Sequence, residues 1–208
     1  MSVTNKSKII NKYGTPVSVS RFIGDMPKEI TETKALLGRA SKSVSGTLAL
    51  ESDKECIMLP TIDVDSGDFI TNLSHSETYI VVATHKEYFM EKALSMVLNI
   101  AKCEHEMDVS GLEKTSDGRG NIVNKFVEKY KHVPCYLMYV RGDTKSYDFG
   151  LNPDTEYVIY TTDLKILLTE QISVPINGQD LILKVVSTDY TTYPNLVRIE
   201  CKKDTIRR

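Results

Sequence analysis

The densest group of side chains able to do chemistry is "CEHEMD", residues 103–108, with Cys103, Glu104, His105, Glu106 and Asp108. A cysteine and a histidine two residues apart could chelate a metal on a strand, or pair as nucleophile and base. A structural zinc site takes four ligands, usually in two pairs, and no partner pair stands out in the chain. A catalytic nucleophile needs a base and a group that orients it. The sequence has no Gly-x-Ser-x-Gly, no phosphate-cradling glycine loop with lysine and no His-Glu-x-x-His. The cluster therefore reads as the solvated end of a helix, and no catalytic, metal or cofactor-binding site is expected. The competing enzyme reading would centre on Cys103 and His105.

The other candidates are weaker. His75, His85 and His132 are isolated and read as surface or capping residues. "DGRGN" around Arg119 has the glycine spacing of an anion-binding nest, but short glycine turns are common, and it reads as a connection. The end "CKKDTIRR" sets Lys202, Lys203, Arg207 and Arg208 against Asp204, a basic terminus able to touch DNA phosphates or an acidic partner. Single-strand binding needs exposed aromatics in a basic groove. There is no Trp, and the 11 Tyr fall mostly inside strand patterns.

The elements that must position these residues are mostly strands. "ECIMLP" and "TYIVVATH" are β-branched and apolar runs. "TIDVDSGDFI" puts Ile62 and Val64 on one side and Asp63 and Asp65 on the other, the alternation of a half-buried strand, closed by a turn at Gly67. "CYLMYV", "YVIYT", "LKILLT", "DLILKVVST" and "LVRIEC" read as further strands, with Asn177-Gly178 as a tight hairpin turn. Two segments change period. Phe89, Ala93, Met96, Val97 and Ile100 recur at helical spacings, and Ile122, Phe126 and Tyr130 stand four apart, so both read as amphipathic helices, the second ended by Pro134.

The expected organisation is an extended N-terminal arm over 1–47, containing one short strand with Val17 and Val19 and one short helix at 32–39. A first β module over 48–103 ends in an amphipathic helix, a loop-and-helix connector covers 104–134, and a second β module covers 135–208. The fold class is mainly β with a few helices (α+β): two small related β-barrel or β-sandwich modules joined by a helical segment. The relation between the modules rests on an offset of 102. It lays Ile62 on Leu164, Val64 on Ile166, Ile70 on Ile172, Tyr79, Val81 and Ala83 on Leu181, Leu183 and Val185, and Tyr88 on Tyr190. Preserved phase implies a preserved inside and outside.

Charge is unevenly spread over the 208 residues. The net is −2, yet residues 1–50 hold eight Lys or Arg and three acids, so that segment is +5 and the remainder −7. A cationic head on an acidic body suits docking on something negative, such as a copy of the body. Lys6, Lys8, Lys12, Arg21, Arg39, Arg119, Arg207 and Arg208 are the expected subunit or partner contacts. No run approaches the length of a membrane helix and no export signal is visible, so no membrane partner is expected. Four widely spaced cysteines read as reduced and buried.

Several segments together resemble a family. "IINKYGTPVSVSR" is similar to the opening of head-closure and head–tail connector (neck) proteins of tailed bacteriophages of Gram-positive hosts. "SGDFITN…ETYIVVATHKEY" resembles their central hairpin. "NPDTEYVIYTTD" and "INGQDLILKVVSTDYTTYPNLVRIECKKDT" resemble their C-terminal β module. The resemblance covers most of the chain through structural motifs and implies no catalytic residue. It implies a structural virion protein made in the host cytoplasm, a ring of six or twelve copies between portal or adaptor and tail proteins. The ring would extend or close the channel through which double-stranded DNA passes without sequence specificity. The duplication and length depart from short single-barrel stoppers. The alternative from another class is a small monomeric protein-binding module, a phage or host regulator.

Overall fold

The computed structural model describes residues 3–24, 26–39, 54–116, 118, 121–140 and 151–204. Among the described residues one helix, α1 (Val3–Tyr13), precedes twelve strands. These are β1 (Thr15–Ile23), β2 (Met26–Arg39), β3 (Lys54–Met58), β4 (Phe69–Asn72), β5 (Glu77–Phe89), β6 (Lys92–Cys103), β7 (His105–Ser116), β8 (Ile122–Tyr139), β9 (Tyr157–Thr162), β10 (Gln171–Ile176), β11 (Gln179–Asp189) and β12 (Leu196–Lys203). They close into two barrels, in the orders β1-β2-β3-β6-β5-β4 and β10-β11-β12-β9-β8-β7. Replacing each of β1–β6 by the strand six later turns the first order into the second.

The mainly-β class is as the sequence implies, but the module bounds and the expected helices are corrected: the first barrel takes in β1 and β2, and the expected connector 104–134 supplies β7 and the start of β8 to the second barrel. Residues 87–103 are not a helix: they are the end of β5, a turn and β6. Residues 122–134 are not a helix either, being the first part of β8. Residues 15–39 are not an arm: β1 and β2 pair with each other, β1 with β4 and β2 with β3, so they belong to the first barrel. The 32–39 helix is strand for the same reason.

The ladders give the equivalences between barrels residue by residue. Val19 pairs with Ile70, and Val109 with Ile172. The β1–β2 ladder breaks register between Val19 and Ser20, and the β7–β8 ladder between Val109 and Ser110. The β5–β6 ladder breaks between Val81 and Ala83, and the β11–β12 ladder between Val185 and Ser187. Ile70 opposes Tyr79 and Ile172 opposes Leu183. The offset of 102 therefore holds for β4 and β10 and becomes 104 for β5 and β11. Two is an even step, so inward residues stay inward. Tyr88 and Tyr190 are not equivalent.

Three apolar clusters result. Val17, Val19, Ile70, Tyr79, Val81, Leu98 and Ile100 fill the first barrel with their neighbours. Met107, Val109, Cys135, Ile159, Ile172, Leu183, Val185 and Ile199 fill the second. The third cluster is the seam between barrels, where Phe69, Ile80, Val82 and Ala101 from the outer side of β4–β6 meet Val158, Tyr160 and Leu196 from the outer side of β9 and β12. Residues 62–64 and 164–166 are loops, not strands. Val64, Leu164 and Ile166 nonetheless point inward and close the barrels.

Gly67 adopts φ 86, and a Cβ there would stand 2.1 Å from the Asn195 carbonyl oxygen, so only glycine lets the barrels approach at that point. Asn177 (φ 51) and Gly178 (φ 78) make the two-residue turn between Ile176 and Gln179.

Candidate functional site

Two ribbons extend past the barrels. The β5–β6 ladder runs on to Phe89 paired with Lys92, and Met90 at its tip has φ 53. The β7–β8 ladder runs on to Ser116 paired with Ile122. Each ribbon has apolar side chains in solvent where a hairpin would ordinarily be polar: Tyr88, Phe89 and Met90 (86% exposed) on the first, Leu112, Ile122 (76% exposed) and Val123 on the second. Beyond Ser110 the β7 edge has no ladder to β10, whose pairing with it ends there. Among the described residues, the open edge and apolar tips are surfaces suited to holding another protein. The sequence reading missed them because β-branched and aromatic residues four apart were assigned to helices.

The expected contact residues have different fates. Arg21, on β1, is committed inside the chain. Its Nε donates to Asp68 Oδ1 at 2.7 Å and its Nη2 to Oδ2 at 2.9 Å, with Asp63 and Asp65 each 3.5 Å away. The Asp68 carboxylate, 2% exposed, holds the guanidinium proton well above its ordinary range. Lys6, on α1, donates to Glu87 and Ser95. Lys8 lines an open groove of about 590 Å³ with Asn11, Pro60 and Leu94. Lys12 lies 5.0 Å from the Tyr13 ring centre. Arg39 closes β2 opposite Lys54. Arg119, Arg207 and Arg208 lie outside the described residues. The structure gathers Lys6, Lys8 and Lys12 on α1 and does not bring Arg21 to them.

The second barrel repeats the Asp68 arrangement with other residues. Glu170, 4% exposed, immediately precedes β10 as Asp68 precedes β4. The Leu167 amide donates to its Oε2 at 2.9 Å, as the Asp65 amide donates to Asp68 at 2.8 Å. Its cation is Lys129, from β8, with Nζ 2.7 Å from Oε1. Each carboxylate ties a closing loop to the barrel wall.

Cys103 and His105 flank the single residue that joins the barrels. They line an open groove of about 630 Å³ with Glu77, Lys102, Glu104 and Glu106. Nearby, Lys54 donates to the Tyr79 hydroxyl, which donates to Glu77 at 2.5 Å, while Lys102 lies 3.0 Å from Glu77. The Tyr79 hydroxyl and Lys102 hold the Glu77 carboxyl down at about 2, against an ordinary 4.5. Lys54, Glu77 and Lys102 are thus paired with one another, as expected of a brace between strands. Among the described residues, no three of His, Cys, Asp or Glu form a group that could hold a metal ion. Burial pushes the Cys56 and Cys135 thiols up to about 12 and Cys201 upward too, so none of the three is a ready nucleophile. His132 sits at a bulge with φ 50, its amide donating to Asp108 at 2.8 Å.

No described helix is long and apolar enough to cross a membrane. No family model matches the chain, and no curated protein matches it.

Proposed function

We propose that the chain is a structural protein of a phage neck, one of several identical subunits of a ring between portal and tail that extends or closes the DNA channel. The observation that carries the reading is a pair of like barrels, fused by an apolar seam, from which two ribbons project with Phe89, Met90, Ile122 and Val123 in solvent. A rigid block with apolar projections is built for assembly. Unlike projections on two parts of one chain suit head-to-tail contacts, which close into rings when the rotation permits. The acidic balance outside the first 50 residues favours sliding of DNA over sticking.

Electron microscopy of the chain with portal and tail components tests this. Rings of six or twelve copies are expected, and Phe89→Asp with Met90→Asp should abolish them while leaving the melting transition in place. A strictly monomeric particle without affinity for portal or tail components would overturn the reading in favour of a small one-to-one binding module.

A further inference from the structure

The same outer face is covered in both barrels, by different things. In the second barrel, the outer side of β8, β9 and β12 receives the first barrel through Tyr136, Val158, Tyr160 and Leu196. The ladders Leu37–Cys56–Leu98 and Leu137–Ile159–Ile199 fix the counterparts of these four as Leu36, Glu55, Ile57 and Ser95, on the outer side of β2, β3 and β6. That face carries α1. The helix packs on β2 and β6. Ile10 is wholly buried, Lys34 Nζ donates to the Asn11 carbonyl at 2.9 Å, and Lys6 reaches Ser95, which is itself fully buried. A short helix thus stands where the second barrel has a whole docked domain.

The complementary face also has a counterpart. The first barrel enters the seam with Phe69, Ile80 and Ala101, whose equivalents on the second barrel are Gln171, Lys184 and Lys202. Lys184 is exposed. In the seam, Val158 and Ile80 share one cluster. Their counterparts are Glu55 and Lys184, an acid and a base. The polar pair is complementary where the apolar pair is complementary.

We propose that the outer face of β2, β3 and β6 is a second barrel-docking surface, closed by α1 in the isolated chain, and that its partner is the β10–β11–β12 face of another copy. Release of α1 lets the internal seam repeat between chains, with Glu55 meeting Lys184. Each added copy extends the array by two barrels, and the contact is head-to-tail. This supplies a contact for the ring proposed above and rests on that reading only for its setting.

Light scattering and native mass spectrometry over a concentration series, on the full chain and on a chain lacking residues 1–13, test it. The shortened chain should associate at lower concentration than the full chain. Glu55→Lys or Lys184→Glu alone should weaken that association by about tenfold, and the two together should restore it. A shortened chain that melts cooperatively yet stays monomeric overturns the proposal, as does association indifferent to both charge reversals. If removal of the helix prevents folding, Ile10→Glu in the full chain replaces it, with the same charge-reversal series. Rings of the full chain that ignore the Glu55 and Lys184 changes would sink this contact and spare the neck reading. Charge-swappable association of the shortened chain with no rings from the full chain would do the reverse.

Discussion

Asp68 and Glu170 occupy the same station in the two barrels and are held by cations from different strands. In the first barrel the cation is Arg21 on β1, and Ile30 at the β2 bulge packs against the core. In the second barrel the position of Arg21 is Gly111 and the position of Ile30 is Lys129. A Cβ at Gly111 would stand 3.8 Å from Glu170 Oε1, so the glycine leaves that approach open while the lysine arrives from the neighbouring strand. The fold requires a neutralised carboxylate that accepts the amide three residues before it. It does not require a particular strand to supply the charge. A buried carboxylate stripped of its cation is costly, so both barrels keep a cation while differing in its source.

The difference can be broken at several strengths. Asp68→Ala and Glu170→Ala should each lower unfolding stability by about 2–3 kcal/mol, since each removes a carboxylate that accepts charged and backbone donors. Denaturant melts check this, and equal losses would show that the two clamps are interchangeable. Arg21→Gly should cost nearly as much as Asp68→Ala. Adding Ile30→Lys, which copies the second barrel's solution, should recover part of the loss; no recovery would mean that the barrels' walls differ too much for the swap.

The hairpins give a smaller contrast of opposite sign. Gly178→Ala puts a side chain at φ 78 and should destabilise by about 1 kcal/mol. Ser76, in the equivalent hairpin, already sits at φ 54, so Ser76→Gly should stabilise by about 0.5 kcal/mol. Thermal melts of the two variants should move in opposite directions.

The smallest effect concerns Glu77, whose counterpart across the barrels is Leu181. The folded chain holds this carboxyl at about 2, below its ordinary 4.5. Its contribution is complete above the ordinary value and is lost as pH falls through about 2. Glu77→Gln should flatten the acid limb of stability in that window and change little at neutral pH. An acid limb that keeps its slope would assign the loss to other carboxylates.

The duplication was legible because inward residues keep their phase across an even shift: Tyr79, laid on Leu181 by the offset of 102, matches Leu183 in the fold. The helices misassigned at 87–103 and 122–134 have a physical cause. On β6, Met96, Leu98 and Ile100 face the barrel interior, while Ser95 lies under α1 and Ala101 in the seam. A strand buried on both sides loses its alternation, and the remaining apolar spacing imitates a helix. On β8, Ile122, Phe126 and Tyr130 stand four apart, a spacing that places residues on one side of a strand as well as of a helix. The polar first stretch of β2 hid its membership of a barrel, since its partners lie at Thr15–Ile23 and at 54–57. The clamps were illegible for another reason: the Arg21–Asp68 pair spans 47 residues and the Lys129–Glu170 pair 41. Local spacing carries no trace of them. The apolar ribbon tips were visible as residues and misread as faces.

β6 ends at Cys103 and β7 begins at His105, leaving Glu104 alone between them. One residue reaches at most about 3.6 Å, so neither barrel can drift from the other. Each presents its face to its neighbour at an effective concentration no free partner could match. Damage to the seam should therefore surface as swivelling of one barrel on the other, and not as separation into halves.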